Sequence, residues 1–158
     1  MISKSEIKFI RSLAQKKFRD EHSMFIVEGE KMVQEAIDSE LEVVSVYRKD
    51  EIGEEAMSRI SLLSSPSPAL AVVKMAKVDE TVYKCKGVSL ALDSVRDPGN
   101  MGTILRIADW FGIENIFCSR DCVELYNPKT VQSSMGAIFR KKVIYTDLLE
   151  VISSYSDA

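Results

Sequence analysis

Three residues in the spacing N-x-G-x-x-x-R, Asn100, Gly102 and Arg106, have the types that could do chemistry. An arginine stays charged, and its planar fork can grip a phosphate or stabilise a developing oxyanion. A glycine lets another group approach the backbone closely. The plainer reading is structural: Asn100 caps a helix, and Arg106 pairs with Asp109 three residues on. Spacing alone favours that plainer reading. A second set, Asn127, Lys129, Ser133, Ser134 and Gly136, joins a helix-starting Asn-Pro corner to small residues suited to close packing. A third, Lys16-Lys17-Phe18-Arg19, could follow a phosphate backbone while Phe18 stacks on a base. Such a run is more often a solvated helix end with one apolar anchor. Cys118 and Cys122 are four apart, but only His22 could join them, so no metal site is expected. The run GNMG is not a dinucleotide fingerprint.

The first set needs a strand, a loop and a helix to position it. Leu90-Ala91-Leu92 reads as a buried strand and Asp97-Pro98-Gly99-Asn100 as a turn. Ile104, Ile107, Ala108 and Phe111 then form an apolar helical stripe, with Asn100 as N-cap and Gly112 as the stop. That register places Gly102, Arg106 and Asp109 on the opposite side. A strand, loop and helix in this order resemble half of a ligand site at the end of a parallel sheet. Further strands are expected at Asn115 to Cys118 and Lys142 to Tyr145, and helices over Lys129 to Ala137 and Leu148 to Tyr155. Three strands make a thin sheet, on which the last helix has little to pack.

Upstream, Ser3 and Glu6 are spaced as a capping box before the stripe Ile7, Ile10, Leu13, Ala14. Strands are expected at Met24 to Val27, Val43 to Tyr47 and Ala69 to Met75. Helices are expected around Met32 to Ile37 and over Glu51 to Ile60. The fold class is therefore α/β, with a small unit over 1–75, a linker over 76–87 and a second unit over 88–158.

The 158 residues are 46% hydrophobic and 28% charged, ordinary for a globular protein. No apolar run approaches the roughly 20 residues of a membrane span. The N-terminus lacks the apolar core of a signal peptide. Three cysteines are odd in number and too few for a disulfide framework, which points to the cytoplasm. A net charge of −3 argues weakly against a nucleic-acid partner. Its distribution argues the other way, because Lys8 to Arg19 holds five basic residues and no acidic one.

The run DPGNMGTILRIADWFG resembles the first signature of the SpoU (TrmH-like) family, RNA ribose 2′-O-methyltransferases of the knotted SPOUT superfamily. YNPKTVQSSMGAIFR resembles the family's second signature, and IKFIRSLAQKKFRDEHSMFIVEGEKMVQEA its substrate-recruiting domain. The third signature, a Gly-Asn-Glu-Gly-like loop with a Ser-Leu-Asn-rich segment, is not found before Ala158. The resemblance implies an RNA-recruiting α/β domain followed by a partial SPOUT (α/β knot) domain without its knot-forming segment. It implies S-adenosylmethionine as cofactor, rRNA or tRNA as partner, a homodimer, and neither metal nor membrane. It assigns catalysis to Arg106, with Asn100 in a structural or substrate-positioning role. Ser134 and Gly136 fall to the edge of the cofactor side, and Lys16, Lys17, Phe18 and Arg19 to RNA. With the third signature missing, this chain alone is expected to bind the cofactor weakly or not at all. The alternative is a non-catalytic RNA-binding or dimerisation module.

Overall fold

Alternation along the strands decides how the first half is layered. In the computed structural model, which describes residues 2–77 and 87–156, β1 (Met24–Glu28), β2 (Val43–Arg48) and β3 (Ala69–Lys74) form an antiparallel sheet in the order β1-β3-β2. Phe25 pairs with Val73 and Ile26 with Val72, so successive side chains point to opposite faces. One face carries Ile26, Leu70 and Val72. It is covered by α1 (Lys4–Ser12) and α5 (Glu54–Ile60) through Ile7, Ile10, Met57 and Ile60. The other carries Phe25, Val27, Ala71 and Val73 and packs on α3 (Glu30–Asp38) through Met32, Val33 and Ala36.

The capping box that starts α1 is present: the Ser3 hydroxyl accepts from the Glu6 N–H, and Glu6 accepts from the Ser3 N–H. The basic segment after α1 forms a short helix, α2 (Lys16–His22). One local expectation needs correction. Glu51 to Ile60 is not one helix, because Gly53, at φ +88°, separates α4 (Lys49–Ile52) from α5. Most of the expected linker, residues 78–86, lies outside the described residues.

The second half is a parallel sheet, β4 (Leu90–Leu92), β5 (Asn115–Cys118) and β6 (Lys142–Tyr145), in chain order. Two successive crossovers in the same direction put both connecting helices on one face. Accordingly α6 (Pro98–Trp110) and α7 (Pro128–Ser134) lie together over Ile116, Cys118 and Val143. On the other face α8 (Leu148–Ser156) sets Leu148 and Val151 against Phe117 and Ile144, so the last helix does find a partner.

The two sheets do not build separate cores. Apolar residues of β1, β3 and α3 run without a break into those of α6, α7, β5 and β6. Phe25 and Tyr126 bring their rings to 4.5 Å across this junction, and the Tyr126 hydroxyl accepts from the Ala76 N–H at 2.9 Å.

Candidate active and RNA-binding site

The helix that carries the first set starts earlier and faces differently than expected. Its N-cap is Asp97, whose carboxylate accepts from the Asn100 N–H at 2.7 Å, with Pro98 at the first helical position. Asn100 therefore sits in the first turn, and its exposed side chain is not consumed as the cap. The buried stripe is Met101, Leu105 and Ala108, whereas Ile107, Trp110 and Phe111 are 48%, 85% and 73% exposed. Two stripes of helical period share Ala108, and tertiary packing selects the other one.

Gly102 is buried, not on a free face. A Cβ there would stand 2.7 Å from both the carbonyl carbon and the Cβ of Ser133. The single proton of the Ser133 hydroxyl is shared between the Lys129 and Thr130 carbonyls of its own helix, at 2.7 and 3.1 Å, and the Pro98 carbonyl of α6 at 3.0 Å. The glycine thus admits α7 rather than RNA or a second subunit, and the two sequence signatures interlock at this point.

Arg106, one turn beyond Gly102, is exposed. The structural reading paired it with Asp109, but Asp109 is taken by Arg140 at 2.8 Å and Lys141 at 3.3 Å. Arg106 has no ion pair among the described residues. Burial pulls the Asp109 carboxyl up, yet its bonds to Arg140 and Lys141 outweigh burial and hold it below its ordinary value. Arg140 also donates to Glu35 of α3 at 2.9 Å, and both carboxylates raise its guanidinium further. Arg140 and Glu35 were missed in the sequence because they are 105 residues apart.

Asn127 caps α7, accepting from the Lys129 N–H at 2.9 Å. The helix ends at Ser134, earlier than expected, because Met135 and Gly136 take the left-handed conformation at φ +47° and +92°. The two positions assigned to a cofactor edge are both packed within the chain. Ser134 is fully buried and donates to the Val131 carbonyl at 2.7 Å. Gly136 lies against the Glu35 carboxylate, where a Cβ would overlap it.

The loops after β4 and β5 are tied together by Asp121. It accepts from Ser119, Ser94 and Arg96 at 2.7, 2.8 and 3.0 Å, and these bonds hold its carboxyl well below the usual range. Among the described residues no group of His, Cys, Asp and Glu could hold a metal ion.

The basic cluster divides. Lys16 and Lys17 are exposed; Lys16 reaches Asp20 at 2.5 Å, and the Lys17 ammonium lies 5.6 Å from the centre of the half-buried Phe18 ring. Arg19 is not available to RNA. It is 2% exposed, donates to the Leu13 and Ala14 carbonyls at 2.8 and 2.7 Å, and pairs with Glu124 of the second half. A charged residue on the inner side of a short helix is held there because three acceptors replace water.

A TrmH-family protein from Porphyromonas gingivalis superposes with a TM-score of 0.88 at 32% identity, covering 99% of this chain and 68% of that one. The SpoU rRNA Methylase family model matches residues 87–158, and the MRM3-like substrate binding domain model matches residues 4–85. This chain belongs to the SpoU (TrmH) family. An rRNA methyltransferase from Sinorhizobium meliloti, solved with AdoMet bound, superposes with a TM-score of 0.83 at 28% identity, covering 97% of this chain and 66% of that one. Among curated relatives, the 23S rRNA (guanosine(2553)-2′-O)-methyltransferase RlmP of Bacillus subtilis is 30% identical over 90% of this chain. The mitochondrial rRNA methyltransferase 3 of Xenopus laevis is 27% identical over 90% of it. The chain spans 62% and 40% of those two relatives' lengths.

Proposed function

We infer that this chain is the RNA-recruiting part and the first portion of the methyltransferase domain of an rRNA ribose 2′-O-methyltransferase. The division falls between residues 1–75 and 88–158, and the methyl donor is S-adenosylmethionine. The observation that carries the reading is Arg106: an exposed guanidinium, without an ion pair among the described residues, on a helix braced at Gly102 and Asp109. A ribose hydroxyl is a weak acid, so its attack needs a group that stabilises the forming alkoxide and holds the neighbouring phosphate. Arg106 supplies that charge and fork, and the side chain of Asn100 positions the ribose. The carboxamide suits this because Asp97 has taken over the cap. Lys16 and Lys17 recruit RNA on α2. The exposed Ile107, Trp110 and Phe111 support a homodimer formed through α6.

A second reading, a non-catalytic RNA-binding or dimerisation module, is favoured by the filled positions at Ser134 and Gly136. Single-turnover methyl transfer to rRNA, in a protein of its relatives' full length, separates the two. Arg106→Ala is expected to lower transfer by about a hundredfold or more, with an unchanged melting temperature and a much smaller loss of RNA affinity. Arg106→Lys keeps the charge without the fork and stays impaired. Near-normal transfer by Arg106→Ala would remove Arg106 from the mechanism. RNA binding with no transfer by the unaltered protein would favour the second reading.

A further inference from the structure

The two halves meet not only in their shared core but also along a groove of about 620 Å³. Its rim is Lys16 of α2 and Arg120 of the loop after β5, and Tyr126 and Tyr145 form part of its wall. Both phenol hydroxyls are committed: Tyr126 accepts from the Ala76 N–H, and Tyr145 donates to the Val123 carbonyl at 2.7 Å. The rings are thereby fixed in place, and Cys122, Leu125, Val143 and Ile144 supply the apolar part of the wall. Glu124 lines the groove too; its carboxylate is held by Arg19 and lies 3.9 Å from the Lys16 ammonium, which must turn from Glu124 and Asp20 to meet a phosphate. Arg120 is exposed and has no ion pair among the described residues. It also borders a second hollow, of about 900 Å³, with Ser119 and Thr146 at the C-terminal ends of β5 and β6. Ligands of parallel sheets gather at those ends. Arg120 therefore stands between the basic helix and the end of the sheet where α6 begins.

We propose that this groove binds a single-stranded RNA segment, with Arg120 and Lys16 on its phosphates and the Tyr126–Tyr145 wall against its bases. The proposal rests on the RNA reading above and adds the path. Its chemistry is the combination that holds unpaired nucleotides: cations tracking the backbone and aromatic rings beside the bases. Its volume lies within the roughly 300–1,000 Å³ of pockets that enclose small ligands, which suits one or two unpaired nucleotides and not a duplex.

The test uses this chain and a fluorescein-labelled uridine octamer, with anisotropy read between about 50 and 200 mM salt. Arg120→Glu is expected to weaken octamer binding about tenfold and to lower the salt slope by about 0.7 for the lost contact. Its melting temperature should match the parent, since Arg120 is exposed. An octamer carrying 4-thiouridine should cross-link to peptides holding Tyr126 or Tyr145. Octamer binding that Arg120→Glu leaves unchanged, with cross-links confined to α2, would overturn the groove and leave RNA recruitment standing. Equal loss of affinity for a blunt RNA duplex would overturn the single-strand assignment. An unaltered chain that binds no octamer and no duplex would remove RNA recruitment, and the groove with it.

Discussion

Gly102→Ala sets two known effects against each other, and the structure says which wins. Replacing glycine by alanine inside a helix gains about 1 kcal/mol from propensity. Here, however, the new methyl would stand 2.7 Å from the carbonyl carbon and the Cβ of Ser133. Ordinary carbon contacts lie near 3.5–4.0 Å, so α6 and α7 must part by about 1 Å. Overpacking of this kind costs about 1–3 kcal/mol. The separation also stretches the 3.0 Å contact from Ser133 to the Pro98 carbonyl, worth at most about 1 kcal/mol because the same proton is shared with the Lys129 carbonyl at 2.7 Å. The net expectation is a loss of about 1–3 kcal/mol, or roughly 3–10 °C in melting temperature for a chain of this size. Ser133→Gly in the same background removes the Cβ and the hydroxyl but not the carbonyl carbon, so it should restore only part of the loss. Thermal and urea unfolding of the three proteins measure this. A Gly102→Ala protein as stable as its parent, or more so, would refute the interlock and return Gly102 to an open face.

Two further expectations follow from buried groups. Arg19→Ala strands two backbone carbonyls and leaves Glu124 only the longer pair with Lys16, and should cost about 3 kcal/mol in urea unfolding; Lys17→Ala should cost under about 0.5 kcal/mol. A loss below about 1 kcal/mol for Arg19→Ala would show that α2 is not anchored there. Burial first, and then Cys122, pushes the Cys118 thiol up to about 12, so at pH 8 the native protein should leave Cys118 unalkylated by iodoacetamide in peptide mapping. The unfolded thiol ionises near pH 8.5, so the stability from the neutral buried thiol is complete below that value. It is lost as pH rises toward the folded value, and a melting temperature that does not fall above about pH 9 would contradict this.

All six strands, the α1 capping box and the Asn127-Pro128 helix start were legible in the sequence, because each depends on neighbours a few residues apart. The signatures at Asp97 to Gly112 and Tyr126 to Arg140 were legible for the same reason, and they carried the family assignment. Asp97 could have been read as the cap from Pro98 beside it; Asn100, also a capping type, drew the boundary three residues late. The buried side of α6 could not be read in the same way. Ile104, Ile107 and Phe111 and the rival Met101 and Leu105 satisfy one period equally, and only packing against α7 and the shared core chooses between them. The fates of Arg19 and Arg140 are equally long-range, each decided by a carboxylate 105 residues away. Periodicity says which residues share a face. Which face meets a partner, and which cation is left over for RNA, is set by groups that come together only when the chain has folded.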